Sequence, residues 1–253
     1  MPSRTRTTHT IRNTAMASIL ASLALASTAH AGTTGTVSLT SDYIFRGVSQ
    51  TNQDPAVQAG VEWAADNGFY VGTWGSNISW LSDLSADDFE ISSSVELDFY
   101  AGYRGQFSEA VKFDVGALYY WYPGDFPDDF NSADTLELAF GITWSLLTAK
   151  VYYAPTDLFG YTDSEGSTYG DLALNWEFVP TWTLNAHVGR QWIENNGDFD
   201  YTDWKLGVTK GFANGFSAAL AYVDTNADEA LYTNPRDNFI ADATVVLSLG
   251  KAW

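Results

Sequence analysis

Across residues 90–104 hydrophobic side chains (Ile91, Val95, Leu97, Phe99, Ala101, Tyr103) alternate with polar or small ones (Glu90, Ser92, Ser94, Glu96, Asp98, Gly102). A period of two over such a span predicts a β-strand with one apolar and one polar face. The pattern returns at residues 111–122, 136–144, 171–178, 182–189, 203–208, 216–222 and 243–249. Weaker candidates cover residues 33–48, 56–65, 69–80 and 149–154; in the third, Gly72 and Gly75 leave the outward face unassigned. Together these segments predict twelve strands. Their connections alternate in length: residues 50–55, 81–89, 123–134, 155–167, 194–200 and 225–238 form long ones, whereas 66–68, 104–110, 146–148, 179–181 and 211–215 form short ones. Long loops at one rim and short turns at the other, with both chain ends on the short side, predict an all-β fold: an antiparallel transmembrane β-barrel. Strands of roughly 9 to 11 residues are long enough to cross a bilayer at a tilt. The competing reading is a secreted soluble β-sandwich with its apolar faces packed together, which predicts loops of comparable length at both ends.

Aromatic placement fits the membrane reading. Trp63, Trp80, Trp121, Trp144, Trp182, Trp192 and Trp253 fall near strand ends, where amphipathic rings suit the water–lipid boundary. The N-terminus adds a direction of travel. Arg4, Arg6 and Arg12 precede an apolar run over residues 15–26 and the small-residue stretch Ala29-His30-Ala31, the pattern of a cleaved secretory signal over residues 1–31. The expected mature domain, residues 32–253, carries nine basic side chains against 31 acidic ones, a formal charge of −22. Such a charge disfavours nucleic acid, whose binding relies on Lys and Arg. The absence of cysteine excludes disulfides and thiolate metal sites. The long loops hold 17 of the acids and a single base, Arg236, so one rim is expected to be an acidic crown.

Several stretches resemble the TorF family of porins: S-D-Y-I-F-R-G-V-S-Q-T at residues 41–51, G-F-Y-V-G-T-W-G-S-N at 68–77, E-L-D-F-Y-A-G-Y at 96–103, D-V-G-A-L-Y-Y-W-Y-P-G at 114–124, A-K-V-Y-Y at 149–153 and Y-T-D-W-K-L-G-V-T-K at 201–210. The resemblance covers the whole mature domain and implies a Gram-negative outer-membrane barrel, without supplying catalytic or ligand residues. The last strand, with Val245, Leu247, Leu249 and the terminal Trp253, looks like the signal read by the barrel-assembly machinery, although Lys251 stands where an apolar residue is more usual.

With the apolar faces against lipid, the alternate faces point inward. The acids placed there are Asp42, Glu62, Glu96, Asp98, Asp114, Glu137, Asp171, Glu177, Asp203 and Asp242; Arg46, Lys112, Lys150, Lys205, His187 and Asn175 join them. A twelve-stranded barrel lies between those filled by side chains and those with an open channel. The lining is therefore either a narrow channel for small polar solutes, cation-preferring because carboxylate rings favour cations, or a sealed network of ion pairs in a structural or ligand-binding barrel. At the crown, Asp87-Asp88 and residues 125–129 offer hard oxygen ligands for divalent cations, the ions that bridge lipopolysaccharide, but match no defined calcium loop. No cofactor is expected. Neither a GxSxG elbow nor an HExxH helix is present, and the one histidine left after processing, His187, points inward, so no enzyme activity is expected.

Overall fold

The structure is a computed structural model, described for residues 32–85 and 89–253. The expected signal segment and the Asp87-Asp88 pair lie outside the described residues. In chain order the strands are β1 (Gly32–Thr40), β2 (Ile44–Phe45), β3 (Val48–Ser49), β4 (Ala56–Ala64), β5 (Phe69–Asn77), β6 (Val95–Ser108) and β7 (Val111–Trp121). They continue with β8 (Thr135–Trp144), β9 (Leu147–Tyr153), β10 (Thr168–Val179), β11 (Trp182–Trp192), β12 (Tyr201–Gly211), β13 (Phe216–Thr225) and β14 (Thr244–Ala252). β1 pairs with β4, each later strand pairs with its successor, and β14 returns to β1, so twelve antiparallel strands close into a barrel. β2 and β3 form a separate hairpin inside it. Closure satisfies the backbone of every wall strand with no free edge, the condition for β-structure in hydrocarbon.

The alternation read from the sequence sets the two faces. On β14, Val245, Leu247 and Leu249 are exposed while Val246 between them is 9% exposed. The greasy faces thus turn outward over a continuous belt, and the sandwich alternative falls. Two aromatic girdles bound the belt. Trp63, Phe69, Phe107, Trp144 and Trp182 ring the short-turn end, and Tyr119, Trp121, Tyr153 and Trp192 ring the long-loop end. Trp253 closes the seam: its backbone exchanges two hydrogen bonds of 3.1 Å with Gly35, and its indole lies where a Cβ on Gly35 would stand.

In the wall and its girdles the structure departs from the sequence reading at three places and settles the face of β5, which the sequence leaves unassigned. The first wall strand ends at Thr40: the chain bends at Ser41-Asp42, with Thr40 Oγ1 donating to Asp42 O at 2.8 Å, and residues 44–49 enter the barrel as a hairpin whose tip is the tight turn of Arg46 (φ 48°) and Gly47 (φ 82°). The strand within residues 90–104 begins only at Val95 and runs on to Ser108 through a bulge between Gln106 and Ser108. Glycine-rich β5 resolves with Phe69 and Val71 outward and Tyr70 and Trp74 inward, Gly72 making room for the ring of Tyr100. Trp80 is not a girdle residue: it follows β5 and packs edge-on against Tyr122, ring centroids 5.5 Å apart. The buried apolar cluster around Tyr43, Trp74, Leu81, Ile91 and Tyr122 lies beneath the long loops, so the fold's core fills the upper barrel.

Two outcomes follow from this packing. Leu220, outward in the middle of β13, should tolerate no charge: Leu220→Lys is expected to lower stability in phospholipid vesicles by about 2–4 kcal/mol, read by urea titration of the refolded barrel. At the hairpin tip, a Cβ on Gly47 would meet Thr225 and Asp203 in a backbone region that side chains avoid. Gly47→Val is expected to dislodge the hairpin and expose the bond after Arg46 to trypsin, whereas the unsubstituted barrel resists cleavage there.

Candidate functional site

The hairpin is held from its base. Ser49 Oγ and Thr51 Oγ1 donate to Asp42 Oδ1 at 2.6 and 3.1 Å, and the backbone N–H of Gln50 donates to Tyr43 O at 2.7 Å. Burial pushes the Asp42 carboxyl above its usual range, and the two hydroxyl donors oppose that shift by stabilising the anion. From this base the chain reaches across the lumen. Arg46 Nη2 meets Glu137 Oε2 of β8 at 2.7 Å, and its Nη1 donates to Gln191 Oε1 of β11 at 2.9 Å. Its guanidinium lies 4.2 Å from the ring centroid of Tyr169 and 5.0 Å from that of Tyr152. Tyr120 completes the site by donating to Glu137 Oε2 at 3.0 Å. Planar stacking and directed donors suit arginine more than lysine here, and both partners are buried, so neither charge can be removed alone without stranding the other.

Two further networks line the wall. Arg104 binds Glu62 through two parallel bonds of 2.6 and 2.8 Å, sits over the Tyr70 ring at 3.7 Å, and faces Asp114, which accepts from Tyr70 Oη at 2.7 Å. His187 places Nδ1 2.9 Å from Asp171 and Nε2 3.5 Å from Asp203, whose carboxylate also accepts from Tyr169 Oη at 2.9 Å. Nδ1 is thus engaged by Asp171, while Nε2 faces Asp203 at longer range. Lys150 is buried on β9, Lys205 lies beside Asp171 and Asp203, and Lys112 sits near the short-turn end of β7. None of these three lysines has a carboxylate within 4.0 Å among the described residues. Glu96, which accepts from Tyr43 Oη at 2.9 Å, and Asp98 share the inner face of β6 and have no basic partner at ion-pair distance among the described residues.

Two residues expected in the lining stand elsewhere. Asp242 precedes β14 and is exposed, with its carboxylate accepting from the N–H of Ala243; the strand starts at Thr244, too late to turn Asp242 inward. Glu177 has the inward parity but lies at the short-turn mouth, exposed, where it accepts from the N–H of Thr181 at 2.8 Å. Asn175 accepts from Asn185 at 2.7 Å within the lining. Arg104, Gln191 and Tyr169 carry much of the lining without having been singled out by sequence. Arg104 falls where the strand over residues 90–104 meets the turn over 104–110, and Tyr169 and Gln191 lie just outside the alternating segments, so inward parity alone signals all three.

Arg46 divides the interior. Above it, toward the long loops, a vestibule of about 350 Å³ is bordered by Phe45, Trp80, Phe159, Tyr201 and Tyr232. Below it, a cavity of about 120 Å³ follows a wall of small residues, Gly207, Ser217, Ala219, Ala221, Ser248 and Gly250, on β12–β14. Of the residues bordering the two spaces, Arg46 is the one they share. Most of the charged side chains sit on β6–β12, and the lower cavity, bordered also by Asp42, Arg46 and Lys205, has its small-residue side on β12–β14.

No curated protein sequence matches the chain. Among solved structures, the KdgM porin aligns with TM-score 0.53 at 6% identity, covering 88% of this chain and 98% of that one. The KdgM porin in complex with disordered oligogalacturonate aligns with TM-score 0.52 at 7% identity over the same shares. At these identities the likeness is one of fold. OprD of Pseudomonas aeruginosa aligns with TM-score 0.38 at 13% identity over 86% of this chain and 66% of its own. A family model described as "Bacterial protein of unknown function (Gcw_chp)" matches residues 24–253, and the chain belongs to that family.

Proposed function

We propose that this barrel resides in the outer membrane as a porin-like channel of the TorF type, passing small polar solutes with a preference for cations. The observation that carries the reading is the pair of spaces meeting at one side chain: a vestibule open toward the long loops and a cavity along the small-residue wall, parted by Arg46. A barrel with a purely structural interior has no need of a wall of Gly, Ala and Ser beside its charged one. The apolar belt and two girdles support the membrane location, and the fold shared with the KdgM porin supports a channel. The inward carboxylates, Asp42, Glu62, Glu96, Asp98, Asp114, Glu137, Asp171 and Asp203, exceed the inward bases Arg46, Arg104, Lys112, Lys150 and Lys205, and the crown adds more negative charge. That balance favours cations and opposes a polyanion such as the oligogalacturonate held by KdgM.

The channel carries out no chemistry in this reading, with His187 serving as a strut between Asp171 and Asp203. The outward residues of β14 and the terminal Trp253 would engage the barrel-assembly machinery, and the acidic loops would hold divalent cations that bridge to lipopolysaccharide. A second reading, a barrel sealed by its own hairpin, is favoured by the buried Arg46–Glu137 contact across the lumen.

Planar-bilayer recording under a potassium chloride gradient decides between them. Discrete conductance that reverses toward the potassium equilibrium potential is expected; silence from pure refolded barrel would establish the sealed reading, and reversal toward chloride would overturn the cation preference. Removing the strut should enlarge the path. Arg46→Ala combined with Glu137→Gln, which avoids leaving a lone buried carboxylate, is expected to raise single-channel conductance at least twofold, whereas Glu137→Gln alone should change it less.

A further inference from the structure

We propose that the vestibule is a binding site for neutral saccharides. Arg46 and Asp83 are the two formally charged residues bordering the space, and each is already matched: Arg46 by Glu137 at 2.7 Å, and Asp83, itself buried, by Arg236 at 2.8 Å from the loop after β13. An ionic ligand would find no unmatched counter-charge in the lining and would compete with a pair already formed. An anion would also have to pass the acidic crown.

What remains is a combination of ring faces and neutral hydrogen-bonding groups. Phe45, Trp80, Phe130 and Phe159 present aromatic surface; beside them Gln50 Oε1, Asn52 Nδ2 and Trp80 Nε1 keep hydrogen-bonding capacity, whereas both ends of the Gln191 and Asn234 amides are already engaged. A primary amide both donates and accepts, which matches a hydroxyl. Aromatic faces gain from covering the C–H faces of a sugar ring while its hydroxyls reach the amides. The rings are held in place. Phe45 packs edge-on against Phe159 at 5.6 Å and Trp80 against Tyr122 at 5.5 Å, and Asn52 accepts from both Asn234 and Asn238 at 2.7 and 3.0 Å. A lining ordered before the ligand arrives reduces the entropy cost of binding. The volume of about 350 Å³ lies within the range of roughly 300–1,000 Å³ for small-molecule sites, which fits one end of a short oligosaccharide.

The site extends the channel reading but is tested without it. Titration calorimetry and tryptophan fluorescence on the full barrel refolded in detergent use maltotriose and cellotriose as neutral probes, with trigalacturonate and choline as anionic and cationic ones. At least one neutral trisaccharide is expected to bind saturably and more tightly than either charged probe. Trp80→Ala should weaken that binding about tenfold, the size of one lost aromatic contact. Because Trp80 also packs in the fold, a second variant is needed: Leu231→Trp fills the space from an exposed position on its lip and should block binding, whereas lipid-facing Leu247→Ala should leave it unchanged. Failure of both neutral probes to saturate, tighter binding of choline or trigalacturonate, or indifference to both Trp80→Ala and Leu231→Trp overturns the site. A barrel that conducts without binding loses the saccharide site alone; one that binds without conducting loses the channel alone.

Discussion

A sheet closed on itself leaves each side chain two destinations, lipid or lumen, and successive residues must take opposite ones. That constraint sorts the chain. Apolar residues that would form the core of a soluble protein line the outside, and charged residues that would normally face water are gathered into a narrow interior where they must find one another. The ion pairs of Arg46 and Arg104, and the hydrogen bond of His187 to Asp171, are consequences of this enforced proximity. So is the use of tyrosine throughout the interior: Tyr43, Tyr70, Tyr120 and Tyr169 each place a ring against the packing and a hydroxyl against a carboxylate. A phenol is well suited to this place, apolar along its body and a donor at its tip.

Period-two patterning carried the wall into the sequence with high fidelity, because a strand in a closed sheet cannot slip by one residue without turning its charges to lipid. Val245 to Leu249 and Ile142 to Phe140 could therefore be assigned to faces from their spacing alone. The same rule placed Glu96, Asp98, Asp114, Glu137, Lys150 and His187 inside. It was blind where the chain leaves the wall. Residues 41–48 continue the alternation of β1 well enough to be counted with it, and only the bend after Thr40 and the turn at Arg46-Gly47 mark a hairpin directed inward. Asp242 was misplaced for a related reason: a parity argument extends as far as hydrogen bonding does, and the ladder of β14 begins two residues later. Which charges pair across the lumen is a matter of barrel circumference and shear, quantities spread over all twelve strands.

The interior is lopsided, and that asymmetry connects fold to activity. Large charged and aromatic side chains on β6–β12 take up one side, while Gly207, Ala219, Ala221 and Gly250 keep the other low. A hairpin anchored at Asp42 crosses between them and ends on Glu137. In the channel proposed above, a single cross-brace stands where other pores place a symmetric ring.

The contact of Trp253 with Gly35 bears on how the molecule comes into being. The seam joins the first wall strand to the last, so a chain lacking β14 would leave amides and carbonyls along β1 and β13 without partners in oil. The cylinder cannot close until β14 has arrived, and a piece that stops before it can form only an open ribbon.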